Sequence, residues 1–183
     1  MPRKQPRRQP FATVLALLPP LLGAPAMVKA ADALQLGLLA HDVPELWSHF
    51  NRESGVDLNA EWTPAWPARQ LGPATVGSQL GVTLNSAGDT SYVYGGLHLR
   101  LGQSQGWYGR VGLGAALHNG ETELVSNDRK ALGARLLFHI PLELGYQWPR
   151  HSLSLYFSHI SNGYTRDANE GLDTLGLRLG WRY

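Results

Sequence analysis

Through the last quarter of the chain, apolar and polar residues alternate with a period of two. Leu153, Leu155 and Phe157 share one side, and His159 and Ser161 continue it. Further on, Leu175, Leu177, Leu179, Trp181 and Tyr183 share a side that begins at Asp173. The opposite sides carry Ser152, Ser154 and Ser158, then Gly176, Arg178, Gly180 and Arg182. Side chains of a strand point alternately to its two faces, so this pattern demands strands with one apolar and one polar side. Six upstream segments repeat it, at Leu34 to His41, Gly55 to Thr63, Val76 to Asn85, Thr90 to Leu101, Trp107 to His118 and Ala131 to Trp148. Pro141 falls inside the last of these, and a bulge is expected there.

Eight segments joined in sequence order predict an all-β fold, an eight-stranded antiparallel up-and-down β-barrel without exposed edges. A soluble barrel turns its apolar side inward and a membrane barrel turns it outward. Three features favour the membrane. The chain opens with a basic stretch (Arg3, Lys4, Arg7, Arg8), a short apolar core from Phe11 to Leu22 broken by Pro19-Pro20, and small residues at Val28 and Ala30. That reads as a secretory signal peptide over residues 1–30, leaving 31–183 as the barrel. The chain ends in Leu-x-Leu-x-Trp-x-Tyr183, resembling the C-terminal signal of bacterial outer-membrane barrels. Trp62, Trp107, Trp148, Trp181 and Tyr183 lie near segment ends, as an aromatic girdle requires. No apolar run reaches the ~20 residues of a membrane-crossing helix. The expected location is therefore the bacterial outer membrane, reached through the periplasm.

The formal charge of +2 comes from the leader, which holds five basic and no acidic residues. The remainder is acidic overall, so no nucleic-acid partner is expected. The absence of Cys excludes disulfides, thiolate metal sites and a Cys nucleophile. His41, His98, His118 and His139 show no metal-ligand spacing and read as loop or strand-end residues, so no metal is expected. Asn119 to Lys130 reads as an exposed loop, and the acidic Asp42, Glu45 and Glu53 read as solvated.

The apolar side of the last two strands carries the chemistry. Both termini of such a barrel lie in the periplasm, so His159, Ser161 and Asp173 fall near the outer leaflet, where the lipid is lipopolysaccharide. Residues i and i+2 of a strand point the same way, about 6.6 Å apart. His159 can therefore reach Ser161 as general base for a nucleophilic hydroxyl. A carboxylate from the neighbouring strand, Asp173, can orient the imidazole. The amide of Asn162 or the N–H groups of the following turn can hold an oxyanion. Such a mechanism needs no cofactor.

Phe157-x-His159-x-Ser161-Asn162, followed by Asn169-Glu-Gly-Leu-Asp173 and a terminal strand, resembles the outer-membrane lipid A 3-O-deacylase family (PagL). The resemblance implies a serine esterase that removes an ester-linked 3-hydroxyacyl chain from lipid A. It carries the base onto His159, the nucleophile onto Ser161 and the oxyanion amide onto Asn162. The family's acid is usually Glu at the position of Asp173, which is one methylene shorter, and Glu170 stands as the alternative acid. The implied partners are lipid A of lipopolysaccharide and the outer membrane, with a single chain or a homodimer both open.

Overall fold

A computed structural model describes residues 32–183 apart from residue 67, so the expected leader lies outside the described residues. Alternation translates directly into strands: β1 (Ala33–Ala40), β2 (Val56–Thr63), β3 (Arg69–Leu71), β4 (Ala74–Asn85), β5 (Tyr92–Gly102), β6 (Gly106–His118), β7 (Leu136–Gln147), β8 (His151–Ser161) and β9 (Leu172–Arg182). Eight are long and pair antiparallel with their neighbours; β1 joins β9 and β2 joins β4, which closes the barrel. The three-residue β3 pairs only with β4, as a hairpin within the connection from β2. The eight-stranded up-and-down barrel is thus the observed architecture.

The two ends differ. At one end, residues 103–105 and 148–150 make short turns, and residues 64–73, which hold β3, make its one longer connection. At the other, residues 41–55, 86–91, 119–135 and 162–171 make longer loops. Short turns face the periplasm and long loops the exterior in such barrels. Trp62, Trp107, Trp148, Trp181 and Tyr183 all gather at the periplasmic end and are exposed, forming a one-sided girdle.

The outward side is apolar from β1 to β9, with Leu38, Leu58, Leu97, Leu113, Leu155 and Leu177 exposed. The lumen takes the charges. Glu61 accepts from Arg110 at 2.6 Å and from Arg178 at 3.1 Å. Glu143 accepts from Gln35 and Tyr108, each at 2.7 Å, and pairs with Arg110 at 2.8 Å. Arg178 is fully buried and lies over the Tyr156 ring at 4.1 Å. Charges withdrawn from water persist only when paired and hydrogen-bonded, and this cluster meets that condition across five strands.

Several sequence expectations need correction. Pro141 causes no bulge: its strand keeps one register against β6 and β8, with Pro141 opposite Ser158. The ring sits against Gly112 across the ladder, where a Cβ would come within 2.7 Å of it. Glycine opposite proline supplies the room that a bulge would otherwise create. The seventh strand starts at Leu136 rather than Ala131, and Leu132 is buried beneath the loops. His98 and His139 are mid-strand lumen residues, His139 stacking on Tyr94 at 4.2 Å between ring centres. Lys130 is wholly buried, not exposed.

With the apolar side toward lipid, Leu155→Arg should cost about 2–4 kcal/mol, the penalty of a cation near the bilayer midplane. Reversible urea unfolding in phospholipid vesicles measures it. A change within 0.5 kcal/mol, the usual range for a water-facing substitution, would place that face against water.

Candidate active site

The register of β8 against β9 puts His159 directly opposite Asp173. Opposed residues of an antiparallel pair bring their Cβ atoms within about 5.5 Å, and the side chains complete the distance. His159 Nδ1 lies 2.6 Å from Asp173 Oδ1, and His159 Nε2 lies 2.9 Å from Ser161 Oγ. An ionised carboxylate only accepts, so Nδ1–H donates to Asp173 and Nε2 is left to accept from the Ser161 hydroxyl. The three residues form one continuous hydrogen-bond chain on the outward face, at the exterior rim of the barrel. Asp173 is completely buried, Ser161 is buried, and the His159 side chain is 12% exposed.

Glu170 is directed elsewhere. Its carboxylate accepts from Arg52 Nε at 3.2 Å, Arg52 Nη2 at 3.0 Å and the Ala131 N–H at 2.8 Å. It joins three loops and makes no bond to His159.

Asn162 is also committed. Its side-chain amide donates to the carbonyls of Leu132 at 2.9 Å and Ala168 at 2.6 Å, and its backbone N–H donates to Asn169 Oδ1 at 3.0 Å. Both side-chain hydrogens are consumed. The packing is close: a Cβ on Gly133 would lie 2.3 Å from Asn162 Nδ2. Residues 162–165 then form a tight turn, with Thr165 N–H donating to Asn162 O at 3.2 Å and positive φ at Gly163 and Tyr164. Among the described residues, the N–H groups of Gly163 and Tyr164 meet no acceptor.

Three residues at the site were not anticipated from sequence. Ser48 N–H donates to Asp173 Oδ2 at 2.7 Å. Trp47 packs edge-on against His159 and Phe157, with ring centres 5.1 and 5.5 Å away. Both belong to the connection after β1, which carries no period to mark it. Gly171 backs the imidazole at φ +64°, and a Cβ there would sit 3.0 Å from His159 Cε1. A glycine just before a strand was a weak signal of such close approach.

The β1–β2 loop is fastened at its roots by groups expected to be solvated or peripheral. His41 bridges Asp57 at 2.9 Å and Glu53 at 3.0 Å. Asp42 Oδ2 accepts from the N–H groups of Arg52 and Glu53, while Oδ1 pairs with Lys130 at 3.1 Å. Glu53 also receives Thr90 and the Lys130 N–H. Burial alone would push the His41 pKa down, but the two carboxylates overcome it and raise it from 6.5 to about 9. Glu45, by contrast, has no side-chain partner among the described residues and fits the solvated reading.

The fold and site together define an outer-membrane β-barrel that carries a serine–histidine–carboxylate chain on its lipid-facing side. The family model for lipid A 3-O-deacylase (PagL) matches residues 37–182, and the chain belongs to that family. Membership places it in the outer membrane, with lipid A deacylation as its class of activity. Among solved structures, the crystal structure of the outer membrane enzyme PagL matches with a TM-score of 0.62 and 17% identity, over 82% of this chain and 99% of that one. A de novo designed transmembrane β-barrel matches at 0.49 and 10% identity, over 82% and 95%. Neisserial surface protein A matches at 0.49 and 8%, over 88% and 100%. A comparison with curated protein sequences gives no match. Nothing in these matches supports a homodimer.

Two outcomes follow. Gly171→Ala should lower activity while heat-modifiable migration of the folded barrel persists, because the new methyl presses on His159 and the φ is unfavourable; steady-state kinetics beside gel mobility tests this. The His41 contribution should be fully present below pH 6.5 and lost as pH rises through about 9, since its folded pKa is the higher one. Hydrogen-exchange protection of residues 41–55, corrected for intrinsic rates, should fall over that window in the native chain and lose the step in His41→Asn.

Proposed function

We propose that this protein is a serine esterase that removes an ester-linked 3-hydroxyacyl chain from lipid A. The observation that carries the reading is the unbroken chain from Asp173 through His159 to Ser161, standing on the lipid side of the barrel at the height of the outer leaflet. A buried polar chain facing lipid is costly unless it serves a reaction there.

In this mechanism Ser161 Oγ attacks the ester carbonyl as His159 Nε2 takes its proton. Asp173 holds the imidazole in the tautomer that leaves Nε2 free and stabilises the imidazolium as it forms. The developing oxyanion is met by the unclaimed N–H groups of Gly163 and Tyr164, in the turn immediately after Ser161. Asn162 supports that turn through its bonds to Leu132 and Ala168, because its own hydrogens are engaged. The imidazolium then protonates the leaving alcohol oxygen. Water, activated by the same His159, releases the fatty acid and restores Ser161. Each step uses only groups of this protein and water, so the proposal calls for no cofactor.

Ser161→Ala and His159→Asn should abolish fatty-acid release, and Asp173→Asn should lower kcat by about 10⁴-fold by analogy with other Ser-His-Asp sites. All three should keep the folded barrel's heat-modifiable mobility. Mass spectrometry of lipid A from expressing cells should show the loss of one acyl group with the native chain and none with Ser161→Ala. Deacylation that survives Ser161→Ala, or native chain that leaves lipid A unchanged, refutes the proposal.

A further inference from the structure

We propose that the loop joining β1 and β2 is a working part of the site, with Ser48 and Trp47 as positioning residues for Asp173 and His159; this rests on the serine esterase reading above. Asp173 is completely buried, so both of its carboxylate oxygens need protein partners. Oδ1 is used by His159, and Oδ2 is met by the Ser48 N–H at 2.7 Å. The same loop is tied to the Asp173 backbone, because Val43 N–H donates to the Asp173 carbonyl at 2.9 Å. Two bonds from one loop therefore fix both the backbone and the side chain of the acid. A bidentate hold of this kind sets the carboxylate plane, and through it the direction of the imidazole.

The hydrogen bond of good geometry is made by the Ser48 backbone N–H, with the Ser48 hydroxyl lying close to the same carboxylate. The Ser48 hydroxyl is buried and has no hydrogen-bond partner. The N–H is thus the main member of the hold and the hydroxyl a lesser neighbour, and variants that remove one or the other separate the two by experiment.

Trp47 supplies the second element. It stands edge-on over His159 and over Phe157, the residue just below it on the lipid-facing row. The indole covers the outer side of the imidazole while its own far side is half exposed. Leu46 on the same loop is exposed as well, while Phe50 turns its ring to Lys130 Nζ at 4.3 Å. The loop therefore lies at membrane height, where an aromatic ring with one wet and one greasy side is at home. His159 is held between Trp47 in front and Gly171 behind.

The loop can hold this pose because its roots are rigid. His41, Asp42 and Glu53 anchor it to β2, to Lys130 and to Thr90, and Arg52 ties it to Glu170 beside the final strand. Three of its residues, Asp42, Glu45 and His49, adopt positive φ without being glycine. Such a backbone persists only where its surroundings over-determine it.

The test compares Ser48→Pro, which removes the N–H, with Ser48→Ala, which keeps it. Ser48→Pro should lower kcat on the order of 10²-fold with KM little changed, the scale of a misplaced catalytic group. Ser48→Ala should lose far less than Ser48→Pro. Trp47→Ala should lower kcat, and Trp47→Phe should recover part of the loss. The far-downfield proton resonance of the His159–Asp173 hydrogen bond should be present in the native chain and Ser48→Ala and lost in Ser48→Pro. Heat-modifiable mobility confirms that each variant is folded. A measurement on otherwise native sequence guards against a disrupted loop: the Ser48 amide should be protected from hydrogen exchange, and Asp173→Ala should release it. Equal kcat in Ser48→Pro and the native chain, equal losses in Ser48→Ala and Ser48→Pro, or an unprotected Ser48 amide would each overturn the proposal. The proton resonance and the amide protection do not depend on lipid A hydrolysis. If Ser161→Ala stays active, the esterase reading fails while these two signals still decide whether Ser48 positions Asp173.

Discussion

A carboxylate on the lipid side of a barrel can stay ionised only if protein groups replace every contact that water would have made. Asp173 is such a carboxylate, and its surroundings follow from that demand. One oxygen meets an imidazole and the other a backbone N–H, while a second loop N–H takes the carbonyl of the same residue. The imidazole, oriented by this hold, has its second nitrogen free for Ser161. The geometry of the site is thus the solution to a solvation problem, and the His159 tautomer that the proposed esterase needs comes with it. The same demand explains why the β1–β2 loop folds over the outside of the barrel rather than standing free above it.

The lumen solves the opposite problem. Its faces carry Glu61, Glu143, Arg110 and Arg178 because the outward faces are filled with Leu and Val, and alternation leaves charge no other direction. Arg178 and Asp173 belong to one strand with opposite parity, and each is buried by a different means. Arg178 is neutralised by two carboxylates across the lumen. Asp173 is enclosed by a loop. The open part of the lumen, lined by Gln35, His98, Tyr108, Arg110 and Glu143, lies toward the periplasmic end, so the proposed chemistry on a lipid of the outer leaflet falls to the outer surface at the exterior rim.

Much of this was legible in the sequence because strand alternation is a local code. Leu153 to Ser161 and Asp173 to Tyr183 fix the facing of each residue without knowledge of partners, and the antiparallel hairpin brings His159 opposite Asp173 with only a small error in register. The motif around His159 and Ser161 supplied the family by resemblance. What escaped was non-local. Lys130 sits in a polar stretch and is buried because Asp42, ninety residues earlier in rough count, meets it in space. Pro141 reads as a bulge in the sequence, yet the β6–β7 pairing only lapses beside it and the register holds, because Gly112 faces the ring. Trp47 and Ser48 lie in an aperiodic connection, and a backbone N–H has no signature in a side-chain pattern.

The choice of acid illustrates how a short side chain and a loop can act as one unit. The resemblance implied a glutamate where Asp173 stands, and a shorter reach to His159. The direct opposition of the two residues in the β8–β9 ladder removes most of that distance. What remains is orientation, because a carboxylate on a short stem is aimed by its backbone. The backbone of Asp173 is aimed by Val43 and the carboxylate plane by Ser48. A glutamate would have one more rotatable bond to order and would carry its oxygens past the Ser48 N–H. The Asp and the loop are therefore matched, and lengthening the acid alone toward the family's usual residue would break the fit instead of improving it.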